Sequence, residues 1–348
     1  MITYQIKELN QEAMHQAKRN WDGIATPLNS LGKLEDVIVQ CAGIFETDNV
    51  RIQKKAVVVM CADNGIVEEG VTQVGQVVTK IVAENMTTNK ATVALMSKQC
   101  GADLFVVDIG MASDTENPDV INKKVMYGTK NFAKHWGMTR EQVEAAIQVG
   151  IHMVKQLKEL EYDVIATGEM GIGNTTTSSA IASCILNQDP EIVTGKGAGL
   201  SSSGLLRKIQ LIQEALEMHK PNREDGIDVL AKVGGLDIAG MCGMFLGGAI
   251  YRVPILIDGF ISATAALVAQ TIDIRTKAFM IPTHVSAEPA GEMLLEALGL
   301  EPMLSLNMCL GEGTGAVMAF PILDTASLIY NEMCDFQTIE IDAYEALD

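Results

Sequence analysis

From about residue 55 onward, short runs rich in Val and Ile, each closed by a polar or glycine-containing turn, alternate with segments of helical periodicity. The runs are Ala56–Met60 before Ala-Asp-Asn-Gly, Leu104–Val107 before Asp-Ile-Gly, Val164–Ala166 before Thr-Gly-Glu-Met-Gly, Pro254–Ile257 before Asp-Gly-Phe, and Ala278–Ile281 before Pro-Thr-His-Val-Ser. Near-continuous apolar strands need cover on both faces, which a parallel sheet flanked by helices supplies. Between the runs, Thr139-Arg-Glu-Gln142 spells a capping box and opens a stripe of Val143, Ile147, Val154 and Leu157. This alternation specifies an α/β fold: a doubly wound, mostly parallel, Rossmann-like sheet, with ligands expected beyond the carboxyl ends of its strands.

Both chain ends read differently. The opening MITYQIKELNQEAM is amphipathic and is a helix candidate rather than a signal peptide. Leu31, Leu34, Ile38, Cys41 and Phe45 recur at helical spacing after a break at Thr26-Pro27, and a last helix is expected near Asp324–Cys334 before an acidic tail. The two ends are expected to pack together as a small helical domain, residues 1–50 plus 322–348, beside a large catalytic domain of residues 51–321.

A formal charge of −18 argues against nucleic acid or an acidic membrane surface as partner. An anionic substrate therefore needs a strongly local site. The most apolar stretch, Ile238 to Ile250, is too short to span a bilayer, which takes about 20 residues. The 7 cysteines are odd in number and widely spaced, and most lie in apolar runs. They read as reduced thiols of a cytoplasmic protein, with neither a disulfide framework nor a zinc pattern.

Three glycine-rich turns carry most of the candidate chemistry. Thr167–Thr177 (TGEMGIGNTTT) follows a strand and precedes a helix, where backbone N–H groups and the helix dipole favour an anion. It approaches a Walker A loop, but Asn174-Thr175 stands where Lys-Thr is required, which disfavours a P-loop-like kinase. Thr194–Ser203 (TGKGAGLSSS) opens a second helix, whose stripe of Leu205, Ile209, Ile212 and Leu216 leaves Lys208 to one side. A cation that early in a helix opposes the dipole, and a bound phosphate removes the conflict; a solvated lysine explains the position equally well. Leu310-Gly-Glu-Gly-Thr-Gly-Ala316 sets Glu312 between glycines, as suits a general base or a simple exposed turn. His284 and Ser286 lie at another strand end; a lone histidine there is more often structural. The 5 histidines form no HxxxH or HExxH pattern, and no Asp-Asp pair follows a strand, so neither a metal nor another cofactor is expected.

Together these segments resemble the nicotinate-nucleotide–dimethylbenzimidazole phosphoribosyltransferase family of the cobalamin lower-ligand pathway. The likeness runs through Ser30–Glu35, Ala62–Ile66, Gly168–Thr176, Gly195–Gly199, Gly234–Ala239, Ser286–Pro289 and Leu310–Gly315 in order. It implies a homodimer that transfers the 5-phosphoribosyl group of nicotinate mononucleotide to a benzimidazole-type base, with inversion. It further implies Glu312 as the base that takes the azole proton, Glu169 in support, and Gly171, Gly173, Asn174, Thr175, Gly197, Lys208 and Ser286 around the nucleotide. In Val71–Val82, which would wall the base pocket, no clear polar anchor for the base is legible. A non-catalytic nucleotide-binding regulator is the other alternative, but it gives Glu312 nothing to do.

Overall fold

The residues of the first strand alternate between two cores. In the computed structural model, which describes residues 5–344, β1 (Lys55–Ala62) is buried along its whole length. Its Ala56, Val58, Met60 and Ala62 enter one hydrophobic cluster, and Val57, Val59 and Cys61 enter another. Side chains of successive strand residues point to opposite faces, so an apolar run without polar alternation must be covered twice. Helices Arg140–Glu159, Leu236–Tyr251 and Phe260–Ile272 cover the first face. Helices Lys33–Phe45, Val77–Thr87 and Thr314–Glu332 cover the second.

The remaining strands are β2 (Ala102–Gly110), β3 (Val120–Asn122), β4 (Val164–Met170), β5 (Ile255–Ile257) and β6 (Met280–Pro282). All pair in parallel, in the order β3-β2-β1-β4-β5-β6. The chain reverses its direction of winding between β1 and β4, and a crevice opens at their carboxyl ends. The expected doubly wound parallel sheet is therefore the observed one.

Several boundaries differ from the sequence reading. β4 continues past Ala166 to Met170, pairing Gly168 and Glu169 with Val59 and Met60, so Glu169 belongs to a strand and not to the glycine-rich turn. β3 was not expected at all, because three residues carry no readable period. β6 begins only at Met280, since Asp273 caps a 3₁₀ turn over Ile274–Phe279 by accepting from the Arg275 N–H at 3.1 Å. The first helix runs from Gln11 to Gly23 with Asn10 as its cap. The described residues before Asn10 are not helical, and the start of the expected amphipathic helix, residues 1–4, lies outside them. The last helix is longer than expected, Thr314–Glu332, and runs through Pro321. The capping box forms as read: the Gln142 N–H donates to Thr139 Oγ1 at 3.3 Å and the Thr139 N–H to Gln142 Oε1 at 2.9 Å.

The chain ends meet. Trp21 and Tyr330 pack with ring centroids 5.2 Å apart and planes tilted by 54°, and the Asn20 amide donates to the Tyr330 hydroxyl at 2.9 Å. On the opposite face, helices Arg140–Glu159 and Leu236–Tyr251 touch backbone to backbone. A Cβ on Gly150 would land on the Gly240 carbonyl, and one on Gly243 on the Ile147 carbonyl. Glycine at these positions lets an almost wholly buried helix lie flush against its neighbour. No helix among the described residues is long and apolar enough to cross a membrane.

Candidate active site

A cavity of about 290 Å³ opens at the carboxyl ends of the strands, next to the switch between β1 and β4. Glu169, Gly171, Asn174, Thr175, Gly197, Ser286 and Glu312 all line it, drawn from four separate stretches of chain. Gly173 lines a smaller neighbouring cavity of about 80 Å³ together with Val71, Gln73 and Lys196. Of the segment Val71–Val82, Val82 is the residue that reaches the larger cavity.

Glu312 is held in an uncommon conformation. Gly311, Glu312 and Gly313 have φ values of 84°, 62° and 95°, three left-handed residues in succession. Glycine adopts this region freely, but glutamate is strained there, and such strain persists only where the surroundings impose it. Two buried carboxylates impose it. Glu169, from the end of β4, accepts the Glu312 N–H at 3.2 Å. Asp258, just beyond β5, accepts the N–H groups of Gly313 at 3.2 Å and Ala316 at 2.9 Å, capping the helix that starts at Thr314. Gly168 has no side chain to obstruct the Glu312 carbonyl, whose oxygen lies 2.5 Å from where its Cβ would be. The Glu312 side chain reaches the cavity half-buried, its Oε2 3.4 Å from the Val93 N–H. Burial raises its pKa above the ordinary glutamate value, which moves a carboxylate towards the range of an effective general base.

Beneath this turn lies a chain of polar contacts. The Asn174 amide nitrogen donates to Glu169 Oε2 and, at 2.9 Å, to Asp237 Oδ2. Burial pushes Glu169 up to about 8 and Asp237 up to about 7, and the Asp237 charge adds to the rise at Glu169. Two carboxylates sharing one amide donor in a dry site favour holding a proton between them. Asp237 was legible in the sequence only as the acid of the Gly234-Gly-Leu-Asp motif. Asp258 was legible only as the polar residue closing a strand. Neither was assigned a part in the site, because a strand-end aspartate does not announce what it clamps.

The glycine-rich segments build the opposite wall. Gly173 (φ 95°) precedes helix Asn174–Leu186, bringing its N-terminal end to the cavity, and Gly197 (φ 53°) turns the second loop against Thr175. Lys208 is 1% exposed, so the alternative of a solvated surface lysine is wrong. Its helix buries Lys208, Ile209, Ile212 and Ala215, one position round from the expected Leu205 and Leu216, which are only partly covered. Lys208 Nζ donates to Thr175 Oγ1 at 2.9 Å and to the Gly195 carbonyl at 3.1 Å. Both partners are neutral, so burial pulls the ammonium down to about 8 despite the through-space help of Glu288. This is a desolvated cation directly behind a cavity-lining threonine. An anion on the cavity side would favour its charged form.

Ser286 and His284 close the floor. Ser286 Oγ accepts the Glu288 N–H at 3.3 Å. His284 is buried and lines the cavity, yet neither ring nitrogen has a hydrogen-bond partner. The sequence favoured a structural histidine here; the structure leaves both of its ring nitrogens unpaired. Among the described residues, no group of three His, Cys, Asp or Glu side chains is arranged to hold a metal ion.

Comparison with known proteins extends over the whole chain. A phosphoribosyltransferase family model matches residues 6–341. The nicotinate-nucleotide–dimethylbenzimidazole phosphoribosyltransferase of Ruminiclostridium cellulolyticum is 48% identical over 99% of this chain and 97% of its own length. The protein of the same name from Clostridium acetobutylicum is 46% identical over 98% of this chain and 97% of its own. The crystal structure of CobT from Thermus thermophilus superposes with a TM-score of 0.90 at 34% identity, covering 95% of this chain and 99% of that one. The sheet order, the carboxylate-clamped turn and these likenesses agree: the chain belongs to the nicotinate-nucleotide–dimethylbenzimidazole phosphoribosyltransferase family.

Proposed function

We propose that this chain transfers the 5-phosphoribosyl group of nicotinate mononucleotide to a ring nitrogen of 5,6-dimethylbenzimidazole or a related base, giving α-ribazole 5′-phosphate and nicotinate. The observation that carries this reading is one cavity with Glu312 on one wall and, on the other, the glycine-rich helix entry backed by Lys208. The acceptor nitrogen attacks C1′ with its lone pair from the face opposite the pyridinium. The C1′–N bond breaks and its electrons return to the pyridine ring, so the leaving group departs without needing protonation. The attacking azole would become cationic, and Glu312 takes its other N–H proton as the bond forms.

Gly171, Gly173, Asn174, Thr175, Gly197, Ser286 and Lys208 are assigned to the nucleotide, with its phosphate at the helix entry. Glu169 holds the Glu312 turn through the backbone. The reaction needs no cofactor, because the pyridinium of the donor already supplies the activation by leaving as a neutral pyridine. Val82 on the base side is apolar, which favours tolerance among related azoles.

We also infer a cytoplasmic homodimer, and a small helical domain of residues 1–50 plus 322–348. Exposed Val77, Ile81 and Leu95, on the helices that bring Val82 to the cavity and the Val93 N–H to Glu312, support the dimer. Light scattering on the purified protein tests it, and a monomeric mass would remove it. The reaction is tested by following nicotinate release from nicotinate mononucleotide. Release that depends on added benzimidazole is expected. No release with any azole, purine or phenol would refute the reading, and binding without turnover would return the chain to the regulator class.

A further inference from the structure

The floor of the cavity joins the phosphate side to the Glu312 side through two residues. Ser286 sits towards the phosphate wall, since its hydroxyl accepts from Glu288, whose charge acts on Lys208. A Cβ built on Gly259 would stand 3.6 Å from Ser286 Cβ and 3.4 Å from His284 Nε2, so the two side chains are neighbours across that glycine. The His284 ring packs against Gly315, filling the space a side chain there would need. Gly315 is three residues beyond Glu312. His284 and Ser286 line the same cavity as Thr175 and Glu312, so a phosphoribosyl group reaching from the helix entry to Glu312 would pass this floor.

His284 is 4% exposed, and both Nδ1 and Nε2 are buried without a partner. Buried polar atoms are almost always satisfied, so an exception at a cavity wall calls for a partner that the chain itself does not supply. Burial lowers the imidazolium pKa, and the nearby N-termini of helices Phe260–Ile272 and Thr314–Glu332 also disfavour added positive charge. The ring is therefore neutral, with one N–H donor and one nitrogen acceptor. A hydroxyl can meet whichever of the two faces the ligand, since it both donates and accepts. A phosphate or carboxylate matches that pair poorly.

We propose that His284 hydrogen-bonds a ribose hydroxyl of the bound donor and so sets the orientation of C1′ between leaving group and acceptor. The proposal rests on the phosphoribosyl-transfer reading and deepens it. It makes His284 a substrate-positioning residue, not the proton acceptor.

The test compares nicotinate mononucleotide with its 2′-deoxy and 3′-deoxy analogues, in wild type and in His284→Phe, which keeps a planar ring in the same space. In the wild type, removal of the contacted hydroxyl should lower kcat/KM by about 5- to 100-fold, the range for a buried hydrogen bond left unmade. His284→Phe should lose a comparable factor with the native donor and little more with that deoxy analogue. The acidic limb of the pH–rate profile, which a general base at Glu312 would produce on protonation, should stay in place. Full and independent penalties for both deoxy donors in the variant would overturn the contact. If His284→Phe does not fold, His284→Leu, which also lacks donor and acceptor, is read in the same way. Should the wild type release no nicotinate, the reaction itself fails. Calorimetric titration of the three donors then decides the contact, and an equal loss in wild type and variant, or no donor binding at all, overturns it.

Discussion

The backbone N–H of Glu312 donates to the carboxylate of Glu169 across 3.2 Å, joining a turn before the last helix to a strand 143 residues earlier. That bond points the Glu312 side chain into the cavity while its backbone is tied to the sheet. A proton acceptor is thus held at a fixed height above the strand ends, as precise proton transfer requires.

Glu312→Gln should preserve the turn, since both neighbouring glycines and the bond to Glu169 remain. It removes only the capacity to take a proton. A loss of about 10²–10⁴-fold in kcat is expected, with donor affinity nearly unchanged. Steady-state kinetics paired with donor titration separate the two effects. A variant with near-wild-type kcat and an intact acidic limb would place the base elsewhere.

The buried Glu169 and Asp237 should make the ligand-free protein less stable as pH rises. Their folded pKa values, about 8 and about 7, lie above the ordinary 4.5 and 3.8, so the folded state keeps protons that the unfolded state has released. Their contribution is fully present below about pH 4 and is lost as pH rises through those folded values. Tm should fall between pH 5 and pH 8, and Asp237→Asn should flatten the decline. Thermal melts across that range check this, and an unchanged slope in the variant would refute it.

Lys208→Met keeps the length of the buried stem but removes the charge behind Thr175. Donor binding should weaken by about 1.5–3 kcal/mol, as for a charge-assisted hydrogen bond, with acceptor KM unaffected. Isothermal titration with nicotinate mononucleotide reads this directly. Equal weakening for donor and acceptor would mean that the lysine only holds the loop at Gly195.

Gly150→Val should separate helices Arg140–Glu159 and Leu236–Tyr251, because its Cβ would meet the backbone of Gly240 and Gly243 rather than a side chain able to move. Overpacking of this kind costs at least about 1–3 kcal/mol, visible as a lower urea midpoint at unchanged slope. Gly23→Ala, at a site with no atom within 4 Å of the new Cβ, is the control and should shift the midpoint little.

Taken alone, the amino-acid order determined the layered architecture, because an apolar run without alternation can be satisfied only by cover on both faces. It also determined the Thr139 capping box, whose partners are three residues apart, and the motifs that carry the family likeness. Glu312 was legible as a candidate because its flanking glycines are adjacent in the chain. Tertiary structure alone decided the rest. Lys208 is buried because its helix turns one position further towards the Gly195 loop than its own periodicity indicates. Asp258 clamps the Glu312 turn because β5 ends beside the N-terminus of helix Thr314–Glu332, a contact spanning 55 to 58 residues. His284 looked like an ordinary core histidine until its surroundings offered both ring nitrogens no partner. Local periodicity records which face of an element is buried. What stands opposite that face, and whether it leaves a polar atom unmatched, is decided only when distant strands bring their ends together.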